Sequence, residues 1–511
     1  MRSIFLPFVF LMFVFPAFAN AQTAIDPVPQ FQVVAAADEK LGSTMTLDDL
    51  RSKQKEAEQE KAPTTINVQP AAEPSPALKY RLYPAKWELK PGSALLHFSR
   101  AQLMFAQQPE EGRNKWQSDE WMNGEGNGAI PSIDELEAAV VSLESIYREL
   151  HQLALSEDFK ADHRIRDVRG PDVYMYLLPD VQESRALARI LAMKIRYQLL
   201  QKDFEGAVES ISDGLRLAEF IGQGETLIQN LVGIAIQSIM RDRITDMIAT
   251  PGSPNLYWAL ATIPRPLAGT GDAVMWELHN ISNVLPALTE AETATWTDAQ
   301  AGTVWASILK DLDTLSSGHD ARLALAIGTV TFADEARRRL EASDFPRAKL
   351  ERLPTLQLVI LDAGRELRRV GDDLCKAHLL PTTLAQPLIE DENERFQQWS
   401  RKNSVSSMAA VIGGVLYPAI VQARAAETRT LMSYNRLMTV EALRMHAEAN
   451  NGTVPDSTEQ LSPVPAMPDP YTGQPFEYKV ETIDGEKVVT LTADGPKNYQ
   501  PLRVLRLRFK E

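Results

Sequence analysis

The sequence predicts a mainly α-helical fold of stacked antiparallel helix hairpins, with a small C-terminal α+β module that combines a long helix with an antiparallel β-hairpin or sheet. Three observations support this prediction. Apolar residues recur at three- and four-residue intervals over much of the chain from 133 to 380, which is the helical period. At least one connection between these helical segments is very short. Apolar and polar residues alternate in the region after Phe476, which is the period of a β-strand.

The composition limits the classes of protein to which the chain can belong. Of its 511 residues, 44% are apolar and 24% are charged, which is typical of a globular protein. A formal net charge of −15 argues against binding to duplex nucleic acid, which needs a basic face. The single cysteine, Cys375, excludes an internal disulfide bond and a cysteine-rich zinc site.

Residues 1–21 have the pattern of a secretory signal peptide. A basic residue at position 2 is followed by an apolar run over 4–18 and by the small-x-small sequence Ala19-Asn20-Ala21. We predict cleavage between Ala21 and Gln22, with cleavage after Ala19 as the alternative. A membrane anchor is the other interpretation, but the run of 15 residues is shorter than the roughly 20 that a spanning helix needs. We therefore expect export to the periplasm or out of the cell.

Residues 22–77 are predicted to form a disordered linker, because they are poor in large apolar residues and rich in proline, alanine, lysine and glutamate. Four prolines near its end interrupt any regular element, namely Pro63, Pro70, Pro74 and Pro76. Three folded regions are expected to follow. They are a helical domain at 78–265, a second helical region packed on the first at 266–400, and the α+β module at 401–511.

The first helical domain combines a helix start signal with apolar stripes. Ser132 and Glu135 have the spacing of a capping box, and the helix that they open is expected to continue to Leu153. Further stripes begin near residues 187, 204 and 227. The connection at 201–203 is short, so the helices on either side of it are predicted to be antiparallel.

Residues 199–220 resemble one tetratricopeptide-type helix pair, through the sequence Asp203-Phe204-Glu205 and the small residue Ala207 in the following helix. A tetratricopeptide array would repeat this pattern about every 34 residues, and the sequence has no second copy at that period. The resemblance therefore implies stacked helix hairpins rather than a repeat array.

The second helical region is predicted to contain helices at 270–285, 290–316, 320–342 and 349–380. Two arginine clusters, at 337–339 and 365–369, have acidic neighbours, so we expect ion-paired solvent faces. The acidic run at 390–394 is expected at a helix start, where the helix dipole favours negative charge.

Residues 403–423 contain no charged residue and raise the question of a second membrane segment. Gly413-Gly414, Pro418, three serines and an asparagine make this stretch a poor membrane span. A helix buried in the protein is therefore predicted.

The C-terminal region has an ordered set of motifs. The apolar segment 411–424 (VIGGVLYPAIVQAR) is followed by Ala442-Leu443, His446, Asn451-Gly452, Pro455 and the block 468–478 (PDPYTGQPFEY). Over about a fifth of the chain this arrangement resembles the bacterial pseudopilins of the type II secretion and type IV pilin-like group. The resemblance raises assembly into a pilus-like complex as one option. The whole arrangement also resembles a group of uncharacterised secreted bacterial proteins, which implies no activity.

The small sheet is predicted from alternating residues near the C-terminus. Asp484-Gly485 is typical of a two-residue hairpin turn between the first two strands. The apolar face is expected to pack on the helix at 430–449. The alternating apolar positions are Phe476, Tyr478, Val480, Val489, Leu491, Leu505, Leu507 and Phe509.

No motif in the sequence assigns a chemistry, and we predict no catalytic, cofactor-binding or metal-ligating residue. Asp162-His163 and His319-Asp320 have the residue types of an acid–base pair, but ordinary surface pairs are favoured. Cys375 with His378 is interpreted as an inert thiol, because the nearby carboxylates would raise its pKa. Tryptophans that could line a sugar-binding groove are interpreted first as core or interface anchors. They are Trp116, Trp121, Trp258, Trp276, Trp296, Trp305 and Trp399.

These observations favour an exported, non-catalytic helical scaffold or binding protein of the cell envelope or periplasm, with protein partners. We expect no cofactor, no nucleic acid and no stable membrane span after removal of the signal peptide. The alternative is a secreted hydrolase whose site is assembled from residues that are distant in the sequence. A pocket in which histidine, carboxylate and tryptophan side chains converge would favour the hydrolase.

Overall fold

The computed structural model describes residues 63–160, 165–170, 178–315, 332–404, 406–416, 418–483, 486–495 and 503–509. These described residues contain 18 helices and a small four-stranded sheet near the C-terminus. The predicted fold class, mainly α with a small C-terminal β module, is therefore confirmed.

The helices are numbered here in chain order. The first nine are α1 (Ala94–Ala106), α2 (Glu110–Trp116), α3 (Asp119–Met122), α4 (Ile133–Ser142), α5 (Glu144–Ala154), α6 (Leu178–Leu200), α7 (Phe204–Gly222), α8 (Leu227–Ala249) and α9 (Tyr257–Ala261). The others are α10 (Thr270–Val284), α11 (Ala287–Thr293), α12 (Asp298–Leu315), α13 (332–341), α14 (Arg347–Leu350), α15 (Thr355–Cys375), α16 (Thr382–Asn403), α17 (Met408–Leu416) and α18 (Pro418–Ala449).

Helices α1 and α4 to α8 build the first hydrophobic core, in which α7 packs on α5, α6 and α8. The predicted capping box is present, since the Ser132 side chain accepts from the Glu135 backbone and the Glu135 carboxylate accepts from the Ser132 backbone. The single helix predicted from this box is instead two helices, which meet at Leu143. The Asp203 side chain caps the start of α7 by accepting from Gly206 N at 3.0 Å.

Helices α10 to α17 build the second hydrophobic core. The helix predicted at 290–316 is divided into α11 and α12, and the one predicted at 349–380 is divided into α14, α15 and a 3-10 segment, Lys376–Leu379. Of the helix predicted at 320–342, the described part is α13. The acidic run at 390–394 lies in the middle of α16, so its predicted place at a helix start is wrong. The macrodipole therefore does not stabilise these charges, because its effect is limited to the first and last turns.

Helix α18 takes part in both cores. Ile420 and Ala423 near its start belong to the second core together with Met408 and Ile412 of α17, whereas its residues from Met432 to Met445 belong to the first core. The uncharged segment at 403–423 is thus packed inside the protein over its described buried positions. In the part of the chain that the structure describes, no helix is both long and apolar enough to cross a bilayer.

The four-stranded sheet consists of β1 (Thr64–Val68), β4 (Glu477–Ile483), β5 (Glu486–Thr492) and β6 (Val504–Phe509). The order of these strands in the sheet is β1-β6-β5-β4. A second sheet consists of two short parallel strands, β2 (Lys90–Ser93) and β3 (Ser156–Asp158). Strands β4 and β5 form the predicted antiparallel hairpin, with Ile483 opposite Glu486. The predicted turn residues, Asp484 and Gly485, lie outside the described residues.

Strand β1 corrects the predicted extent of the linker. It pairs in parallel with β6, from Thr64 opposite Leu505 to Val68 opposite Phe509, and Val68 is almost completely buried. A strand therefore forms inside the segment 22–77, which was predicted to be disordered. The prediction failed here because the partner of β1 lies more than 400 residues away, and five residues alone carry little period-two signal.

The arginine clusters form ion pairs, as predicted, but several partners come from other helices. Arg365 and Arg368 both reach Glu292 of α11, at 2.9 and 2.7 Å. Arg339 binds Asp362 across two helices at 2.6 Å, and the Asp362 side chain is only 5% exposed. Part of this charge is therefore buried in the packing of the second core and does not lie on a solvent face.

Candidate binding surface on helix α16

Helix α16 has one narrow buried face. Ala385, Ile389 and Phe396 point inward, and the helix packs on α15, α17 and the 3-10 segment before it. Ala385 and Ile389 form only a small separate cluster with Ala377. The start of α16 also contacts α18, where Arg424 donates to the Thr382 hydroxyl at 3.2 Å. Among the described residues, Thr383, Leu384, Pro387 and Leu388 on the other faces of this half are exposed.

Exposed apolar side chains are concentrated at this end of α16. Leu379, Leu380, Leu384 and Leu388 are 71%, 39%, 61% and 45% exposed. These four make up a large share of the 14 exposed large apolar side chains in the described residues, yet they lie within ten residues of one another. Leu384 and Leu388 are four residues apart in α16 and share one helix face, whereas Leu379 and Leu380 lie in the segment that leads into the helix. We call Leu379, Leu380, Leu384 and Leu388, with exposed Pro381 and Pro387, the leucine patch.

Carboxylates border the leucine patch on the C-terminal side. Glu390, Asp391 and Glu394 are exposed on the next turns of α16. Glu390 accepts a hydrogen bond from Gln386 at 2.9 Å. The patch therefore combines an uncovered apolar surface with a negative edge.

A groove separates α15 from the C-terminal half of α16, and its cavity volume is about 230 Å³. This volume is smaller than the roughly 300–1,000 Å³ of most small-molecule pockets, and it is enough for part of an extended ligand. We call it the α15–α16 groove. It is lined by Arg369, Val370, Asp373, Leu374, Lys376, Glu392, Arg395, Phe396 and Trp399.

The rim of the groove is a chain of alternating charges. Asp373 lies between Arg369, at 3.3 Å, and Lys376, at 2.9 Å. Glu392 lies between Lys376, at 3.0 Å, and Arg395, at 2.9 Å. These five residues are called the rim chain. The hydrogen bond to Asp373 is the largest cause that raises the pKa of Lys376 above its usual value.

The floor of the groove is apolar and aromatic. Phe396 is buried and Trp399 is partly exposed, and their ring centroids lie 5.9 Å apart at an interplanar angle of 37°. Trp399 is the only one of the seven tryptophans singled out from the sequence that lines this groove. Trp121 and Trp305 are buried, and Trp116, Trp276 and Trp296 pack against the two cores. Trp258 donates from its indole nitrogen to Glu73.

Cys375 and His378 lie close to the groove in sequence but do not line it. Burial, with a contribution from the Asp372 charge, raises the pKa of the Cys375 thiol to about 12. Burial and the nearby Arg424 lower the pKa of His378 to about 4. The thiol is therefore protonated at neutral pH, which agrees with its interpretation as inert.

Two histidine–carboxylate pairs were not predicted. His97 Nδ1 lies 2.6 Å from Glu149 Oε2, and His151 Nδ1 lies 3.1 Å from Asp213 Oδ1. Their partners are 52 and 62 residues apart, so no local spacing could have identified them. The predicted candidates Asp162-His163 and His319-Asp320 lie outside the described residues, as do Ala21 and Gln22 of the predicted cleavage site.

The described residues contain no group of three or more histidine, cysteine or acidic side chains arranged to hold a metal ion. The α15–α16 groove has carboxylates and a tryptophan, but its lining includes no histidine. The convergence that would favour a hydrolase is thus not found at this groove.

Comparisons of the chain with protein-family models, with curated protein sequences and with solved structures gave no match.

Proposed function

We propose that the chain is an exported binding protein of the cell envelope that docks a protein partner on the leucine patch. The observation that carries this proposal is the concentration of four exposed leucines, Leu379, Leu380, Leu384 and Leu388, within ten residues at the start of α16. Scattered exposed leucines are normal in a soluble protein, whereas a contiguous patch is typical of an interaction site.

The chemistry of the patch defines the kind of partner. Burial of a leucine side chain is worth about 1.5–3 kcal/mol, so a partner with apolar anchors gains most of its affinity there. The border of Glu390, Asp391 and Glu394 favours lysine or arginine beside those anchors. The same carboxylates disfavour an anionic lipid surface, which attracts basic segments. We therefore expect an amphipathic protein segment with a basic edge.

The envelope location is supported by sequence patterns. Residues 1–21 have the features of a secretory signal peptide. The described order of α18, a connecting loop and the β4–β5 hairpin is the order that the pseudopilin resemblance implies for 401–511. The first pattern supports export, and the second supports only a pseudopilin-like arrangement of the C-terminal region.

Binding of a defined peptide tests the proposal. The probe is a fluorescent helical peptide with leucines on one face and lysines beside them, measured by anisotropy with the mature protein. We expect saturable binding that the double variant Leu384→Glu/Leu388→Glu weakens on the order of 100-fold, because two buried leucines are lost. The same peptide with glutamate in place of lysine should bind much more weakly.

Helix α1 supplies a matched control. Leu96 and Leu103 are also exposed on a helix, at 51% and 61%. The variant Leu96→Glu/Leu103→Glu should bind the peptide like the wild type. Equal losses in both double variants would contradict the proposal, as would equal binding of the lysine and glutamate peptides. Binding to phosphatidylcholine or phosphatidylglycerol vesicles that requires Leu384 and Leu388 would assign the patch to a membrane instead.

A further inference from the structure

The α15–α16 groove offers two different surfaces to a ligand. Its floor combines the aliphatic side chains of Val370 and Leu374 with the rings of Phe396 and Trp399. Its rim carries carboxylate, ammonium and guanidinium groups, which are strong hydrogen-bonding partners. A ligand that matches both must have an apolar face and polar edges.

The charges of the rim chain are already paired with one another. Asp373 and Glu392 each lie between two cations, and Arg369 also binds Glu366 at 3.2 Å. A strongly charged ligand would have to compete with these pairs. A neutral ligand with many hydroxyl groups can instead donate to the carboxylates and accept from the cations without separating them.

We propose that the α15–α16 groove binds a neutral saccharide, with Trp399 stacked on the C–H face of a sugar ring and the rim chain bonded to its hydroxyl groups. The negative face of an indole ring attracts the partly positive C–H groups of such a ring. Hydrogen bonds to charged groups add selectivity for hydroxyl positions. The Lys376, Arg369 and Arg395 side chains are between 53% and 67% exposed, so a ligand can reach them.

Calorimetric titration of the full mature chain tests this inference with three probes: cellohexaose, maltohexaose and chitohexaose. We expect at least one of them to bind. Trp399→Ala should weaken that binding at least about tenfold, whereas Trp399→Tyr, which keeps an aromatic ring, should retain most of it. Unfolding curves of both variants show whether each of them is still folded. If Trp399→Ala does not fold, the tyrosine variant still tests the inference.

Two controls separate this site from other surfaces. Trp87 is 81% exposed and lies outside the groove, so Trp87→Ala should bind the oligosaccharide like the wild type. The Leu384→Glu/Leu388→Glu variant should also bind it normally, because the leucine patch lies on the N-terminal half of α16. Failure of the peptide test and failure of the saccharide test are therefore distinguishable.

Arg395→Gln distinguishes a neutral ligand from an anionic one. It keeps hydrogen-bonding groups but removes a charge, so saccharide affinity should fall less than about threefold and should not depend on salt. The inference is overturned if none of the three oligosaccharides binds, or if Trp87→Ala and Trp399→Ala have equal effects. It is also overturned if polygalacturonate binds in a salt-dependent way while the neutral oligosaccharides do not.

Discussion

Single residues join distant parts of this chain through buried charges. The Arg444 side chain is 1% exposed and binds Glu441, which is fully buried, at 2.9 Å. The same guanidinium donates to the carbonyl oxygens of Gln69 and Ser253. Arg444 of α18 thus connects the segment after β1 with the segment after α8. These hydrogen bonds need a guanidinium group, which donates from several nitrogen atoms at once.

We predict that Arg444→Met lowers the free energy of unfolding by about 3–5 kcal/mol, because it leaves the Glu441 carboxylate buried without its partner. Urea denaturation measures the change. Arg338→Met is the matched control, because Arg338 also pairs with a carboxylate three residues away but its side chain is 68% exposed. The free energy of unfolding should fall by less than about 1 kcal/mol in this variant. The double variant Glu441→Leu/Arg444→Met should be more stable than Arg444→Met alone; equal stability would contradict this explanation.

The His151–Asp213 pair predicts a pH dependence of stability. The hydrogen bond to Asp213 raises the pKa of His151 above 6.5, Glu209 adds to the effect and Lys90 opposes it. Burial raises the pKa of Asp213, against the opposing effects of His151 and Lys194. Both shifts mean that the folded protein holds protons more tightly than the unfolded chain does.

The stabilisation from protonated His151 is therefore complete below pH 6.5 and is lost as pH rises through the raised pKa. Urea unfolding between pH 6 and 9 should show a decline of stability that is shallower in His151→Gln. An unchanged slope in this variant would mean that other groups cause the decline.

Neither pair of histidine and carboxylate could be predicted from the sequence, because each joins residues on different helices. The Ser132–Glu135 capping box was predictable, because its partners are three residues apart.

Helix α16 shows why helix formation is easier to predict than helix exposure. Its sequence places apolar residues next to each other, as in Leu384-Ala385 and Leu388-Ile389. One member of each pair must face away from a single neighbouring helix. The sequence pattern therefore indicates more apolar surface than one contact can cover, but it does not indicate whether another element covers the rest.

Close approach of α7 and α8 depends on two glycines. A methyl group at Gly233 would lie 2.5 Å from the Cα atom of Gly222 and 2.6 Å from the Ala218 carbonyl oxygen. Gly233→Ala should therefore force the helices apart and cost about 1–3 kcal/mol. Gly302→Ala on α12 meets nothing within 4 Å and should stabilise the protein by about 0.5–1 kcal/mol. Thermal unfolding measures the melting temperatures of the two variants. Changes of the same sign in both would contradict the observed helix contact.

The two ends of the described chain meet in one sheet. Strand β1 covers the edge of β6 and contributes Ile66 and Val68 to the first core. The hairpin β4–β5 was predictable from local alternation, but the parallel pairing of β1 with β6 was not, because nothing near Thr64 in the sequence indicates its partner. The region predicted as linker therefore includes part of the fold.

We predict that a chain that begins at Pro63 is more stable than one that begins at Leu78. The shorter chain lacks the Val68 side chain and the bond from Arg444 to Gln69, and it exposes the edge of β6. We expect a loss of about 3 kcal/mol or more in urea denaturation, together with self-association. Equal stability of the two chains would show that β1 adds nothing to the fold.

The leucine patch is proposed to dock a protein partner in the envelope. Site-specific photo-crosslinking in living cells tests it most directly, with a photoreactive residue at position 384 and, as the control, at position 103. We predict a discrete crosslinked protein from position 384 that disappears in the Leu388→Glu background, and none from position 103. Absence of a crosslink from 384, or the same crosslinked proteins from both positions, would contradict the claim.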